Sequence, residues 1–569
     1  MTSRIAGLSL LLVFILPSCS PNDPPPATKD SAWEDVKTRV TLEQGWTPQV
    51  RELFWFTPQG SEIIPYRWFL ALEQASITEL FRSTANMNRL RYIPEPRSTA
   101  NPDGLPIGFV EDIDHDGQAW LGFTCAACHT GQINFRGVGM VVDGAPAMAD
   151  FAGFFDELIA AMEATDGDDE KFARFAQTVL GGDPAEEASQ QLRESLRETT
   201  ADVIARKQRN QPANPPGFAR VDAFGNILNQ VLVQGLGVPE NGRPPDAPVS
   251  YPVLWDTPQH DRVQWNGSAF NTGLGSLGRN VGEVLGVFGK LSITPKAIPP
   301  GYNSSVKRRN LLKLEKWVEA LWSPQWPSEH LPVIDEDKAK RGEKVYSELC
   351  IKCHALIERT DPNRRVEAMM IPLSGIGTDP AMATSFVTRS AKTGVLNGTL
   401  KRIIVPGPRF GPEAPAAEIL KNAVFGVIIR PRSPLGVTTE SAPDELGDLS
   451  PETLAAQAQG SEPSAADLLR YKARPLNGVW ASAPYLHNGS VPNLAQLLLP
   501  AAERAQQFHV GSREFDPQHV GFDIQEAPGT FLFDVTVPGN SNAGHEGLMY
   551  GTDLADTERE DLVEYLKKL

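Results

Sequence analysis

Cysteine is scarce in this chain: there are 5 in 569 residues. Four of them fall in two short motifs, Cys125-Ala126-Ala127-Cys128-His129 and Cys350-Ile351-Lys352-Cys353-His354, so the folded body has none to spare. Positive charge is also in deficit. The 53 Lys and Arg against 70 Asp and Glu leave a net charge of −17, and a chain of that sign repels a phosphate backbone, which excludes nucleic acid as a partner. A basic electron-donor protein would be attracted, although such acidity also serves simply to keep an exported protein soluble. Long apolar runs are missing too. The stretch from Leu8 to Leu16 is too short to cross a bilayer as a mature helix.

That short run, preceded by Arg4, reads as an export signal. It ends at Leu16-Pro17-Ser18-Cys19, which resembles a bacterial lipobox. In that pattern the cysteine is lipidated and becomes the mature N-terminus, which would account for the fifth cysteine. Ordinary cleavage near Ser20 is the alternative. Both place the mature chain outside the cytoplasm, as a periplasmic or outer-membrane lipoprotein or a secreted protein. Asn22-Asp23-Pro24-Pro25-Pro26 then reads as an extended tether.

The two Cys-x-x-Cys-His motifs have the spacing that covalent attachment of haem c needs. Two thiols add to the porphyrin vinyl groups, and the next histidine is an axial ligand of the iron. A zinc ribbon would hold its cysteine pairs about 15–20 residues apart, whereas Cys128 and Cys353 are 225 apart. A thioredoxin-type redox pair explains neither histidine. Two covalent haem c groups are therefore expected, with His129 and His354 as fifth ligands. The sixth position decides function, because an open site binds peroxide or dioxygen while a second strong ligand leaves only electron transfer.

At this length two domains are the minimum expectation. The division read from the sequence is a signal peptide at 1–19, a tether at 20–32, an N-terminal haem c domain at 33–332 and a C-terminal one at 333–569. The boundary falls in the stretch from Ser323 to Asp335, which carries three prolines. Phe154, Leu158 and Met162 recur at four-residue spacing, which predicts a helical insertion between Phe151 and Arg209. Glu336 to Leu349 predicts an amphipathic helix running into Cys350. Thr557-Glu558-Arg559-Glu560 reads as a capping box before a terminal helix with Leu562, Val563, Leu566 and Leu569 on one face. Ser433 to Ser464 is poor in apolar residues and reads as a surface loop or disordered insertion. The expected fold is mainly α: two cytochrome c-like haem domains with long loop and helical insertions.

Four segments carry a family resemblance: Gly122-Phe123-Thr124-Cys125-Ala126-Ala127-Cys128-His129-Thr130-Gly131, Gln264-Trp265-Asn266-Gly267, Ala483-Pro484-Tyr485-Leu486-His487-Asn488-Gly489-Ser490-Val491-Pro492 and Asn540-Ser541-Asn542-Ala543-Gly544-His545-Glu546. With them, roughly residues 100–569 resemble the bacterial di-haem cytochrome c peroxidase superfamily, most closely the branch of the di-haem rubber oxygenase. The resemblance implies that His545 is the distal ligand of the C-terminal haem, where peroxidases have methionine. Met549 is the rival ligand, and core packing is its plainer role. A bis-histidine haem has a lower potential than a His/Met one, which suits electron exchange. The resemblance makes Trp265 the tryptophan between the two haems, with Trp255 as the alternative, and Glu283 a distal acid near the N-terminal haem able to shuttle a proton. In the oxygenase branch an apolar distal pocket serves instead, to which Phe270 or Phe288 would contribute. His487 resembles a non-ligand near the second haem, with a buried, backbone-satisfied histidine as the plain reading.

The implied activity is that of a di-haem oxidoreductase, either a peroxidase fed by a small cytochrome or cupredoxin or a dioxygenase that cleaves an apolar polyene. A non-catalytic electron carrier, with His115 or His260 as a sixth ligand of the first iron, is the competing reading. Two weaker motifs complete the list. Gly273-Leu274-Gly275-Ser276-Leu277-Gly278 matches a dinucleotide fingerprint but lacks its strand. Asp112-Ile113-Asp114-His115-Asp116-Gly117 opens like a calcium loop but has Phe123 where glutamate is needed, so calcium and a plain acidic turn both stand.

Overall fold

The structure is a computed structural model that describes residues 36–271, 273–294, 301–403, 407–429 and 465–569. The signal, the lipobox with Cys19, the tether up to residue 32 and the Ser433–Ser464 segment lie outside the described residues.

The expectation of a mainly α fold does not hold. The chain is 39% helix and 17% strand, a mixed architecture with small sheets. Among the described residues the strands form one three-stranded sheet and eight two-stranded ones. Their physical origin is local. Phe109–Ile113 alternates inward and outward residues and pairs antiparallel with Ala119–Phe123. The turn between them is Asp114 to Gly117, where Asp114 Oδ1 accepts the N–H groups of Asp116 and Gln118, each at 2.9 Å. The calcium-like stretch forms a β-hairpin turn whose backbone engages Asp114, while Asp112 accepts the Gly60 N–H and pairs with Lys307. Immediately after the first Cys-x-x-Cys-His motif, Thr130–Phe135 pairs with Val138–Asp143 through Arg136 and Gly137, both at positive φ, the backbone of a tight primed hairpin turn.

The helical insertion forms as Phe151–Gly167, Asp169–Leu180 and Glu186–Arg209. Phe154, Leu158 and Met162 are buried on its first helix, where Phe154 meets Phe69, Phe81, Tyr92, Phe109 and Phe123 ring to ring. At the other end of the chain, Glu336–Val345 continues into a wider π-turn, Tyr346–Cys350, and crosses the terminal helix Asp556–Leu566. Glycine at 342 permits this crossing. A Cβ there would lie 2.0 Å from the carbonyl oxygen of Asp561 and 2.9 Å from Leu562 Cα. The terminal helix is capped two residues earlier than expected, with the Ala555 N–H donating to the Glu558 carboxylate at 3.0 Å. Leu562, Val563, Leu566 and Leu569 are buried as predicted.

The proline-rich stretch after Ser323 is packed rather than loose. Ser323, Trp326 and Leu331 are buried; the Trp480 indole donates to Pro324 O at 3.2 Å, and its ring meets Trp326 at 5.4 Å. Arg359 donates to Ser323 O at 3.1 Å and to the carbonyl of Leu569. The largest apolar core accordingly runs through both halves of the chain, from Leu42 to Leu569.

Candidate haem-binding site

The two Cys-x-x-Cys-His motifs close the same turn. In the first, the His129 N–H donates to Cys125 O at 3.0 Å; in the second, the His354 N–H donates to Cys350 O at 2.9 Å. Each turn brings the histidine ring back beside its thiols. Each ring is then oriented by one carbonyl: His129 Nδ1 donates to Pro252 O at 2.8 Å, and His354 Nδ1 to Arg474 O at 2.7 Å. That bond assigns the tautomer and leaves Nε2 free to ligate. Burial pushes His129 down to about 4 and lowers His354 as well, so both imidazoles are neutral and available to a metal.

The first motif opens on a cavity, open in part to solvent and lined by Phe54, Phe123, Phe151, Val253, Leu311 and other apolar side chains around Cys125, Cys128 and His129. Burial pushes the thiols of Cys125 and Cys128 up to about 12 and that of Cys350 up to about 11. Trp265 and Glu283 line the same cavity. Glu283 accepts a hydrogen bond from Gln264 Nε2 at 2.6 Å, and burial, the dominant effect, raises its carboxyl. Gln264 has a positive φ of 68°. Trp255 also lines the cavity, but it is a core residue whose indole donates to Asn477 O at 2.9 Å. Phe270 and Phe288 do not line it. Phe288 stacks with Phe151 and Phe155, while Phe270 lies under Arg262.

At the second motif a histidine faces a histidine. The rings of His354 and His545 have centroids 6.5 Å apart. Two metal–imidazole bonds of about 2 Å each, plus the half-widths of the two rings, span that separation. His545 Nδ1 is buried with no hydrogen-bond partner, and burial together with His354 pushes His545 down to about 3. The loop that carries it is held through main chain: His545 N–H donates to Ile376 O at 2.8 Å, and Arg504 donates to the carbonyls of Asn542, Gly544 and His545. Asn488 and Ser490 donate to Ser541 O at 3.0 and 2.9 Å, so the two histidine segments noticed in the sequence are packed together. His487 itself is buried and stacks on Tyr471 at 4.0 Å. Met549, for which core packing was the plainer role, is 53% exposed.

Trp265 ties the two sites. Its indole donates to Ser250 O at 3.1 Å, two residues before the carbonyl that orients His129. Its own carbonyl accepts the Lys472 N–H at 2.9 Å, two residues before the carbonyl that orients His354. Of the other histidines, His115 is exposed on the hairpin turn beside Asp116. His260 is buried in the cavity wall, where its Nδ1 donates to Asp256 O at 2.7 Å and its Nε2 has no partner. Sequence reasoning passed over Lys472, Arg474 and Arg279, all of which line the cavity. None lies in a motif, and only the fold brings them beside Cys125.

The donor sets fit haem c: paired thiols on a turn, a histidine with one nitrogen committed and one free, and a large apolar cavity. Comparison with known proteins agrees. Residues 470–509 match a family described as RoxA-like, cytochrome c-like. That segment begins with the strand leading to Arg474 and includes Asn488, Ser490 and Arg504, the residues that hold His354 and the His545 loop. The uncharacterised protein y4iJ of Sinorhizobium fredii (strain NBRC 101917 / NGR234) is 32% identical over 601 aligned positions, covering 93% of each chain. The uncharacterised protein y4iM of the same organism is 25% identical over 382 positions, covering 62% of this chain and 73% of that one. With a third of its positions shared over nearly its whole length, the chain belongs to the family of y4iJ, and its cytochrome c-like segment is of the RoxA-like, haem c-binding kind.

Proposed function

We propose that this protein is an exported di-haem c-type oxidoreductase whose two irons have unequal jobs. One haem is held by Cys125, Cys128 and His129 and reacts with peroxide or dioxygen. The other is held by Cys350, Cys353, His354 and His545 and exchanges electrons with a small redox protein, a cytochrome or cupredoxin. The observation that carries this reading is an asymmetry. His545 stands across from His354, whereas His129 opens on a large cavity with no second imidazole stacked opposite it among the described residues. A bound haem supplies redox chemistry and, at an open position, activation of an oxygen ligand.

The chain's own residues then have definite tasks. Pro252 O and Arg474 O keep His129 and His354 in the ligating tautomer. Glu283, whose carboxyl is raised by burial, is fixed by Gln264 on the cavity wall, where it can carry a proton. Trp265 offers an indole on the line between the two sites. The apolar lining would accept an apolar polyene, the substrate class of the rubber-oxygenase-like alternative to peroxide reduction. Export and anchoring through Cys19 belong to the same proposal. Optical and EPR spectra of the purified protein with added cyanide or imidazole test it. One haem should respond and the other should not; two haems that resist ligands in every redox state would leave only an electron carrier. Turnover of hydrogen peroxide against cleavage of polyisoprene separates the two enzymatic forms.

A further inference from the structure

The cavity beside Cys125 has a cationic seam that is balanced only from a distance, by Asp261 near Lys472 and Asp256 near Arg474. Its acids are already engaged: Glu315 pairs with Arg279, Asp256 pairs with Arg364 at 2.6 Å, and Glu283 is held by Gln264. Lys472 and Arg474, neighbours on one edge of the strand Arg470–Ala473 and its continuation, line the same cavity. Arg474 donates to Ser482 Oγ at 3.2 Å, and neither cation forms an ion pair with a carboxylate among the described residues. Lys472 is half-buried, and desolvation with repulsion from Arg474 and Arg279 outweighs attraction to Asp261 and pushes its ammonium down to about 7. Its charge is also felt by His260, whose neutral ring is pushed down to about 3 by burial and then by Lys472. Nearby, Ser250 Oγ is buried without a partner and lines the cavity too. An ammonium in a desolvated site without a direct ion pair is costly, and a bound anion reduces that cost. The site suits carboxylates, and it lies on the strand that leads to the carbonyl orienting His354.

We propose that Lys472 and Arg474, with Ser250, form a carboxylate-binding seam that takes the propionate edge of the porphyrin attached at Cys125 and Cys128, and that Lys472 is a positioning residue which sets the reduction potential of that haem. The inference rests on the di-haem reading above. A cation paired with the propionates disfavours the extra positive charge of the oxidised iron; once it is neutralised, the propionates stand uncompensated and stabilise that form.

The test is a spectroelectrochemical titration of purified holoprotein, after mass spectrometry has counted its covalent haems. Lys472→Gln should move one of the two midpoint potentials to more negative values and leave the other in place. Lys472→Arg, which keeps the charge, should hold the wild-type value. A Lys472→Gln protein that retains both haems and titrates as wild type overturns the inference. A second arm adds benzoate as a free carboxylate. If benzoate shifts the Soret band of the wild type but not of Lys472→Gln, and the potentials are unchanged, the seam serves a carboxylate substrate and the propionate assignment falls. Absence of haem at Cys125 and Cys128 would instead remove the di-haem reading itself, a result distinct from either.

Discussion

Gly544→Ala is the substitution through which the geometry of the His545 loop can be tested most directly. Gly544 has φ +76°, and a Cβ on it would sit 2.2 Å from Gly377 C, 2.3 Å from Thr378 N and 2.4 Å from Ile376 O. All three are backbone atoms, so no side chain can swing away. Left-handed backbone costs an L-residue about 1–2 kcal/mol, and overpacking against a fixed neighbour costs about 1–3 kcal/mol more. Together the substitution should destabilise the loop by about 2–5 kcal/mol. The loop is otherwise held by the His545 N–H bond to Ile376 O and by Arg504, and the first of these is made to the same residue that the new methyl would strike. The expected result is a lower urea midpoint and loss of the low-spin EPR signal of one haem, while the other haem keeps its response to cyanide. A Gly544→Ala protein with wild-type stability and an intact low-spin signal would refute the close approach of the two backbones.

Other outcomes follow from the same structure. Gly342→Ala, despite its better helix propensity (about 1 kcal/mol in favour), must push the leading and terminal helices apart, because the new Cβ would lie 2.0 Å from Asp561 O; with overpacking at about 1–3 kcal/mol, urea unfolding should show a net loss of up to about 2 kcal/mol. His545→Ala should turn one haem high-spin and make it bind cyanide, read by EPR, while an unchanged spectrum would reassign the ligand. Asp222 caps the helix Ala223–Asn229 from a buried position, and desolvation raises it to about 6 from 3.8. Its contribution is therefore fully present below pH 3.8 and is lost as pH rises through about 6. Relative to Asp222→Asn, the wild type should lose at most about 3 kcal/mol between pH 4 and pH 7, measured as the difference between the two urea midpoints.

Short-range chemistry was written in the residues themselves. The two Cys-x-x-Cys-His runs specify their turns and their rings because thiols and histidine are neighbours in the chain, and no tertiary contact is needed to recognise them. The apolar faces of Phe151–Gly167 and of the terminal helix were legible for a related reason: periodicity along one helix is a local property. The family likeness pointed to His545, Trp265 and Glu283, and the fold sets them respectively across from His354 and on the wall of the His129 cavity.

What only the tertiary structure decided is everything that depends on distant segments meeting. The many two-residue strands have too little sequence to announce themselves, so a mixed fold read as a mainly helical one. Phe270 and Phe288 are the right residue type for an apolar pocket, yet packing against the helical insertion and under Arg262 takes them elsewhere. Lys472 and Arg474 stand more than 300 residues from Cys125 and belong to no motif, but the Arg470–Ala473 strand carries them into its cavity. A sequence states which groups a chain owns; desolvation and charge pairing act on groups that are close in space, and folding alone determines which those are.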